Sequence, residues 1–214
     1  MSLLSIDAAD LDRWSTTHMA KADLPDLVRR LIWASCPDLV FVDVPGGEAI
    51  YLRGYDGIVE ASMGNRFVPE GTSAWELSTE SDVTGKANED YNKRTNDPLN
   101  IDPVDTAFVF LTSRRWNQIR EWIDAKSVGP WREVRAIDAG QLADWIDHVP
   151  WIADEFAYEV LRRPRTGICG LRRIWDNYRH VPIRHGTLSS DFIIANRTNT
   201  AREILPHTPE IKTT

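Results

Sequence analysis

Cysteine is nearly missing from this chain: Cys36 and Cys169 are the only two in 214 residues. Two thiols without nearby histidines fit neither a zinc site nor a disulfide framework, and they suit a reducing compartment, so a cytoplasmic location is expected. No run of about 18 apolar residues occurs, which excludes a hydrophobic membrane-spanning helix. The start, Met1-Ser2-Leu3-Leu4-Ser5-Ile6-Asp7, has no basic segment and no sustained apolar run, so it does not read as a signal peptide. The five histidines, His18, His148, His180, His185 and His207, are dispersed. They form no His-x-x-x-His pair and no Ser-His-Asp arrangement, which argues against zinc and serine hydrolases. Gly46-Gly47 is followed by no Lys-Ser/Thr pair, so a phosphate-binding glycine loop is absent as well. Excess positive charge is also lacking. The net charge is −7, and whole-molecule steering of a polyanion is not expected, although a local basic patch is compatible with that figure.

What is present is the composition of a soluble globular protein, with 42% hydrophobic and 27% charged residues. The nine tryptophans have no fixed spacing, so they do not mark a repeat array. Residues 7–19 read as a short amphipathic helix around Leu11 and Trp14. A clearer helix follows, with Asp23 as its cap, Pro25 in its first turn, and Leu24, Leu27, Val28, Leu31 and Ile32 at helical spacing. Pro37 ends it. Leu39–Val44 reads as a strand closed by Pro45-Gly46-Gly47, and further strands are expected at about 55–62 and 72–79, separated by Gly64 and Pro69-Glu70-Gly71. Residues 83–95 read as a polar helix, 106–112 as the most apolar strand, 115–126 as a helix and 131–137 as an alternating strand. Asp138 followed by Gln141 is a capping-box signature for one more helix, which Pro150 interrupts. This order predicts an α/β domain whose mixed sheet carries helices on both faces.

The segment with chemical content runs from Gly54-Tyr55-Asp56-Gly57-Ile58-Val59-Glu60 to Ser73-Ala74-Trp75-Glu76-Leu77-Ser78. Strand side chains alternate between faces, so Ala74, Glu76 and Ser78 share one face and Trp75 and Leu77 the other. A hairpin symmetric about residue 67 would set Ile58 opposite Glu76, with Asp56 a diagonal neighbour of Glu76 on the same face. Two carboxylates at such a separation can reach one hard divalent cation.

The strand-borne Asp and Glu, in the order α-β-β-β-α-β over about residues 20–137, resemble the PD-(D/E)xK superfamily and its restriction-endonuclease-like fold. The resemblance implies a metal-dependent nuclease that hydrolyses DNA phosphodiester bonds. Asp56 and Glu76 would bind Mg²⁺ (or Mn²⁺), and a lysine two residues after the Glu would stabilise developing charge. Ser78 stands at that lysine's position. The family tolerates a lysine that has migrated to the next helix, which makes Lys86 the third catalytic candidate and Lys93 the second choice for that role. An acid on the first helix would be Asp26, on the side away from the apolar stripe. More closely, Leu24–Ile32, the Gly-Tyr-Asp-Gly segment, Trp75–Thr79 and Lys86–Thr95 look like an N-terminal domain of large bacterial defence-associated proteins whose downstream regions are often nucleotide-binding. That implies a role in anti-phage defence, with DNA as partner, a protein partner or fused nucleotide-binding effector, no membrane association, and homo-oligomerisation left open. The alternative implied by Ser78 is a catalytically inactive recognition or interaction module of a larger defence protein.

Plainer readings stand beside these. Asp56 between two glycines also suits a turn. Glu76 could be paired with an arginine. Lys86 and Lys93 could form a solvated helix face, and Arg114-Arg115 could bind phosphate or cap the sheet edge. From about residue 160 the character changes: residues 162–184 hold seven arginines and a single acid, Asp176. The expected organisation is a restriction-endonuclease-like domain over 1–157 and an arginine-rich helical appendage or linker, with a frayed tail, over 158–214. The chain would then be a fragment or a stand-alone copy of the domain.

Overall fold

A computed structural model describes residues 6–45 and 54–163. They lie in one compact unit, Met1–Gly170; a second unit, Leu171–Thr214, falls outside the described residues. So does the expected appendage from residue 164 onward, together with Gly46-Gly47.

The elements run α1 (Ala8–Trp14), α2 (Ala20–Ser35), β1 (Leu39–Asp43), β2 (Gly57–Ala61), β3 (Gly71–Ser78), α3 (Val83–Asn96), β4 (Ala107–Thr112), α4 (Ile119–Lys126), β5 (Glu133–Ile137), α5 (Ala139–Asp147) and α6 (Pro150–Glu159). The strands form a single sheet in the order β1-β2-β3-β4-β5. The first two pairings are antiparallel, whereas β3–β4 and β4–β5 are parallel, each reached through a helix. The fold is therefore α/β, with a five-stranded mixed sheet flanked by helices. No helix among the described residues is long and apolar enough to cross a membrane.

Most helix ends follow local chemistry. Asp138 caps α5, accepting from the N–H groups of Gly140 (3.0 Å) and Gln141 (3.1 Å), while the Gln141 side chain accepts from the Asp138 N–H (3.2 Å). Pro150 opens α6, at the position where its missing N–H costs no helix bond. Two boundaries differ from the sequence reading. α2 starts at Ala20, so Asp23 lies in the first turn and does not cap. The turn before it supplies the bonds instead, from Ala20 N–H to the Thr17 carbonyl and from Asp23 N–H to the Met19 carbonyl. Residues 115–118 lead into α4 without joining it, because the Trp116 N–H donates to Asp138 (3.4 Å) and the Trp116 ring packs on Phe110.

Side-chain alternation divides the core in two. Trp75 of β3, Val109 and Leu111 of β4 and Ile137 of β5 pack with α1, α2, α5 and α6. Ala74, Phe108, Phe110, Val134 and Ala136 face the other way, towards α3 and three tryptophans. β4 is buried at every position, which is why it reads as a continuous apolar run. Burial of Phe108 and Phe110 alone contributes about 1.5–3 kcal/mol each. The indole of the fully buried Trp75 donates to Ser73 Oγ (2.9 Å) on its own strand. On the opposite face Trp116, Trp122 and Trp131 donate to Thr84 (2.9 Å), Asn88 (3.2 Å) and Thr95 (2.9 Å), all on α3. These bonds satisfy indoles that burial would otherwise leave without water and set α3 against the sheet.

The β2–β3 hairpin fixes the position of Asp56. Asn65 Oδ1 accepts from the N–H groups of Phe67 (2.8 Å) and Val68 (2.9 Å). Gly64 and Gly71 take left-handed φ angles of 67° and 69°, a conformation that favours glycine. The ladder then closes as Ala61–Gly71, Ile58–Ala74 and Gly57–Trp75. This corrects the expected register. The hairpin is symmetric about residue 66, so Ile58 lies opposite Ala74, and Asp56 lies just before the ladder's last pair, Gly57–Trp75. Every pairing has moved by two residues, an even number, so each side chain keeps its expected face.

Candidate active site

Asp56, Glu76 and Lys86 line one cleft of about 630 Å³ between the ends of β2 and β3, α3 and the start of α2. Lys21 of α2 and Lys93 and Arg94 of α3 also line it, as do the acids Glu80, Asp90 and Asp97. Four basic groups therefore meet five acidic ones. Lys86, Asp90, Lys93 and Arg94 recur at helical spacing on α3 and line the cleft; Asp90 and Arg94 are buried, as are the apolar Val83, Ala87 and Tyr91 of the same helix.

Asp56 is half-buried. Its Oδ2 accepts from the Leu77 N–H (2.8 Å), which ties it to β3 beside Glu76. Glu76 is buried at the sheet surface. Arg94 donates from Nε to Glu76 Oε1 and from Nη2 to the Gly54 carbonyl. The guanidinium also lies 4.5 Å from the centre of the Tyr55 ring, and the Tyr55 hydroxyl donates to the Pro98 carbonyl (3.1 Å). Burial, then the nearby Asp56 charge, push the Glu76 carboxyl up to about 8, against the opposing pull of Arg94.

Lys86 does not pair with the two strand carboxylates. Its Nζ lies 2.6 Å from Asp90 Oδ1 and 3.8 Å from Glu89. Burial lowers the Lys86 pKa, but the hydrogen bond and charge of Asp90 outweigh it and leave the ammonium above its usual value. Burial raises the Asp90 carboxyl, which Lys86 partly offsets. Ser78, two residues after Glu76, is buried and accepts from the Glu80 N–H (3.1 Å). It carries no charge.

The other candidates take ordinary structural roles. Asp26 pairs with Arg29 on α2 and does not line the cleft. Arg114 staples α1 to the sheet by donating to the carbonyls of Thr79 (2.9 Å), Asp12 (3.0 Å) and Ser15 (3.2 Å). Cys36 is buried, and burial followed by the hydrogen bond to Asp38 raise its thiol to about 11. Two residues that matter escaped the sequence reading: Arg94, which clamps Glu76, and Asp90 in its role beside Lys86. The available signal was their spacing, since Arg94 lies one helical turn after Asp90 and two after Lys86.

Among the described residues, no three His, Cys, Asp or Glu side chains are grouped so as to hold a metal ion. No protein-family model, curated protein or solved structure matches the chain.

Proposed function

We propose that this chain is a restriction-endonuclease-like domain of the PD-(D/E)xK type that hydrolyses DNA phosphodiester bonds with Mg²⁺ or Mn²⁺, in anti-phage defence. One observation carries the reading: Asp56, tied to the Leu77 N–H beside Glu76, lines one cleft with Glu76, walled by the helix that carries Lys86. The element order supports it too, since an antiparallel β1-β2-β3 meander leads through α3 to a parallel β4, as the resemblance implies.

The residues suit the metal. Mg²⁺ takes hard oxygen ligands, usually from one or two carboxylates, and keeps several waters; Asp56 and Glu76 are such a pair. A divalent ion bound there would supply Lewis acidity towards a phosphoryl oxygen and a water of lowered pKa. The protein's own share is electrostatic. Lys86 holds positive charge on the cleft wall where charge develops during phosphoryl transfer, and Lys21 and Lys93 offer contacts to flanking phosphates.

The test is incubation of plasmid DNA with the protein and Mg²⁺ or Mn²⁺. Asp56→Ala and Glu76→Ala are each expected to lower cleavage roughly 10²-fold or more. Metal-dependent cutting that survives both substitutions rules the proposal out. Arg94 favours a second reading, a domain of this fold that recognises a partner without cutting, because its guanidinium already occupies one oxygen of Glu76. Direct measurement of divalent-ion binding separates the two.

A further inference from the structure

Away from the cleft, α2 presents a second line of side chains to its surroundings. Leu24, Val28 and Leu31 are buried in the core. Met19, Asp23, Asp26, Arg30 and Trp33 recur at alternating intervals of four and three residues, so they share another side of the helix. The first four line a groove of about 420 Å³ whose opposite wall, on α6, includes Glu155. Met19 is 62% and Trp33 59% exposed, at the two ends of the line. Arg30 pairs with Glu155 and lies 5.3 Å from the ring centre of the exposed Trp151. Arg29 lies 5.8 Å from the ring centre of Trp33. Exposed tryptophan and methionine with arginines held across them have the composition of an interface. The charges of the line are divided by position, with acids towards the start of α2 and arginines towards its end. Asp26 pairs with Arg29. Asp23 is half-buried and pairs with no cation among the described residues. Burial, then the nearby Asp26 charge, hold its carboxyl above the usual range.

We propose that this side of α2 is a dimerisation surface, and that it takes the same side of α2 from a second copy of the chain, antiparallel across a two-fold axis at Asp26. A two-fold interface must be complementary to itself, and this line is. Reversed about Asp26, it sets Met19 against Trp33, a sulfur–aromatic contact, and Asp23 against Arg29 and Arg30. Each of these contacts occurs twice. Arg30 gives one nitrogen to Glu155, and its remaining N–H groups are free to serve Asp23 of the partner subunit. Asp26 meets its own copy at the axis, where Arg29 of each chain already offsets its charge. A partner segment of one charge sign would match half of the line and oppose the other half; a second copy matches both. The groove beside α2 gives the incoming helix its place, and the pairing does not depend on the chemistry proposed for the cleft.

The test is sedimentation of the full chain over a range of concentrations, where a reversible dimer is expected. Asp23→Arg and Arg30→Asp each set like charges face to face at both contacts, and each should weaken self-association roughly tenfold or more. Mixed together, the two variants present opposite charges at both contacts, so the mixture should recover dimers that neither variant forms alone. A variant that had failed to fold would recover nothing, and melting transitions identify that case. Trp33→Ala, which removes an exposed aromatic anchor and no charge, should weaken association about tenfold or more and covers it. A chain that stays monomeric up to high micromolar concentration overturns the proposal. A dimer of unchanged strength in the folded single variants also overturns it, because its interface then lies elsewhere on the molecule. So does a mixture of the two folded charge variants that remains monomeric.

Discussion

Glu76 and Arg94 expose only about 6% of each side chain, so neither charge has water as an alternative partner. Removing Arg94 leaves the buried Glu76 carboxyl without its hydrogen-bond donor, and Arg94→Ala is expected to cost about 1–3 kcal/mol. The carboxyl itself makes a pH prediction. Its pKa in the folded protein is raised from 4.5 to about 8, chiefly by burial and next by Asp56. Between those values the folded state binds more protons than the unfolded state, so stability falls as pH rises. The loss begins near pH 4.5 and is complete above about pH 8. Glu76→Gln, which cannot ionise, should therefore gain stability relative to wild type across that window, by a few kcal/mol on an order-of-magnitude basis. Denaturant midpoints of both proteins at pH 5 and pH 9, with chelator present, measure this. A difference that does not change with pH would show that the Glu76 carboxylate is already ionised at pH 5.

At the scale of elements, α3 links the core to the site. One stripe of the helix, Thr84, Asn88 and Thr95, receives the three indole N–H groups of Trp116, Trp122 and Trp131. The stripe formed by Lys86, Asp90 and Arg94 faces the cleft. The rotation of α3 about its axis, and with it the aim of its charges, is set by those indole bonds and by Val83, Ala87 and Tyr91 against the sheet. Trp122→Phe and Asn88→Ala should therefore be coupled by about 0.5–1.5 kcal/mol, the net worth of one hydrogen bond. A double-mutant cycle on unfolding free energy measures the coupling; additive effects would mean that the bond contributes nothing to seating the helix.

Across the whole molecule the sheet is unevenly covered. β4 lies between two hydrophobic clusters and has no exposed position, whereas β1 is an edge strand with Val40 60% and Phe41 50% exposed. Amides of β4 should exchange with solvent only through global unfolding, and those of β1 through local opening at lower free energy. Native-state hydrogen exchange tests this, and equal protection of the two strands would contradict it. The same sheet explains what could be read in advance. The element order, the apolar β4 and the alternation that turns Glu76 away from Trp75 follow from short-range patterning, because side-chain period is a property of the chain itself. The α2 start is not legible from Asp23, a good cap by type, because the preceding turn already supplies the carbonyls. The hairpin register differs by two residues from one symmetric about residue 67, because it depends on how Asn65 and two left-handed glycines close the loop.

By itself, then, the sequence determined an α/β domain in which Glu76 faces away from Trp75 and Leu77 on its strand, since alternation survives any even slip of register. Only the tertiary structure decided the partners of the cleft carboxylates. Arg94 reaches Glu76 from 18 residues away, and Lys86 turns to Asp90 in place of the strand pair. Which charges meet in a cleft depends on the docking angle of α3 on the sheet, and that angle is set by packed indoles and aromatic rings distant in sequence from the charges they orient.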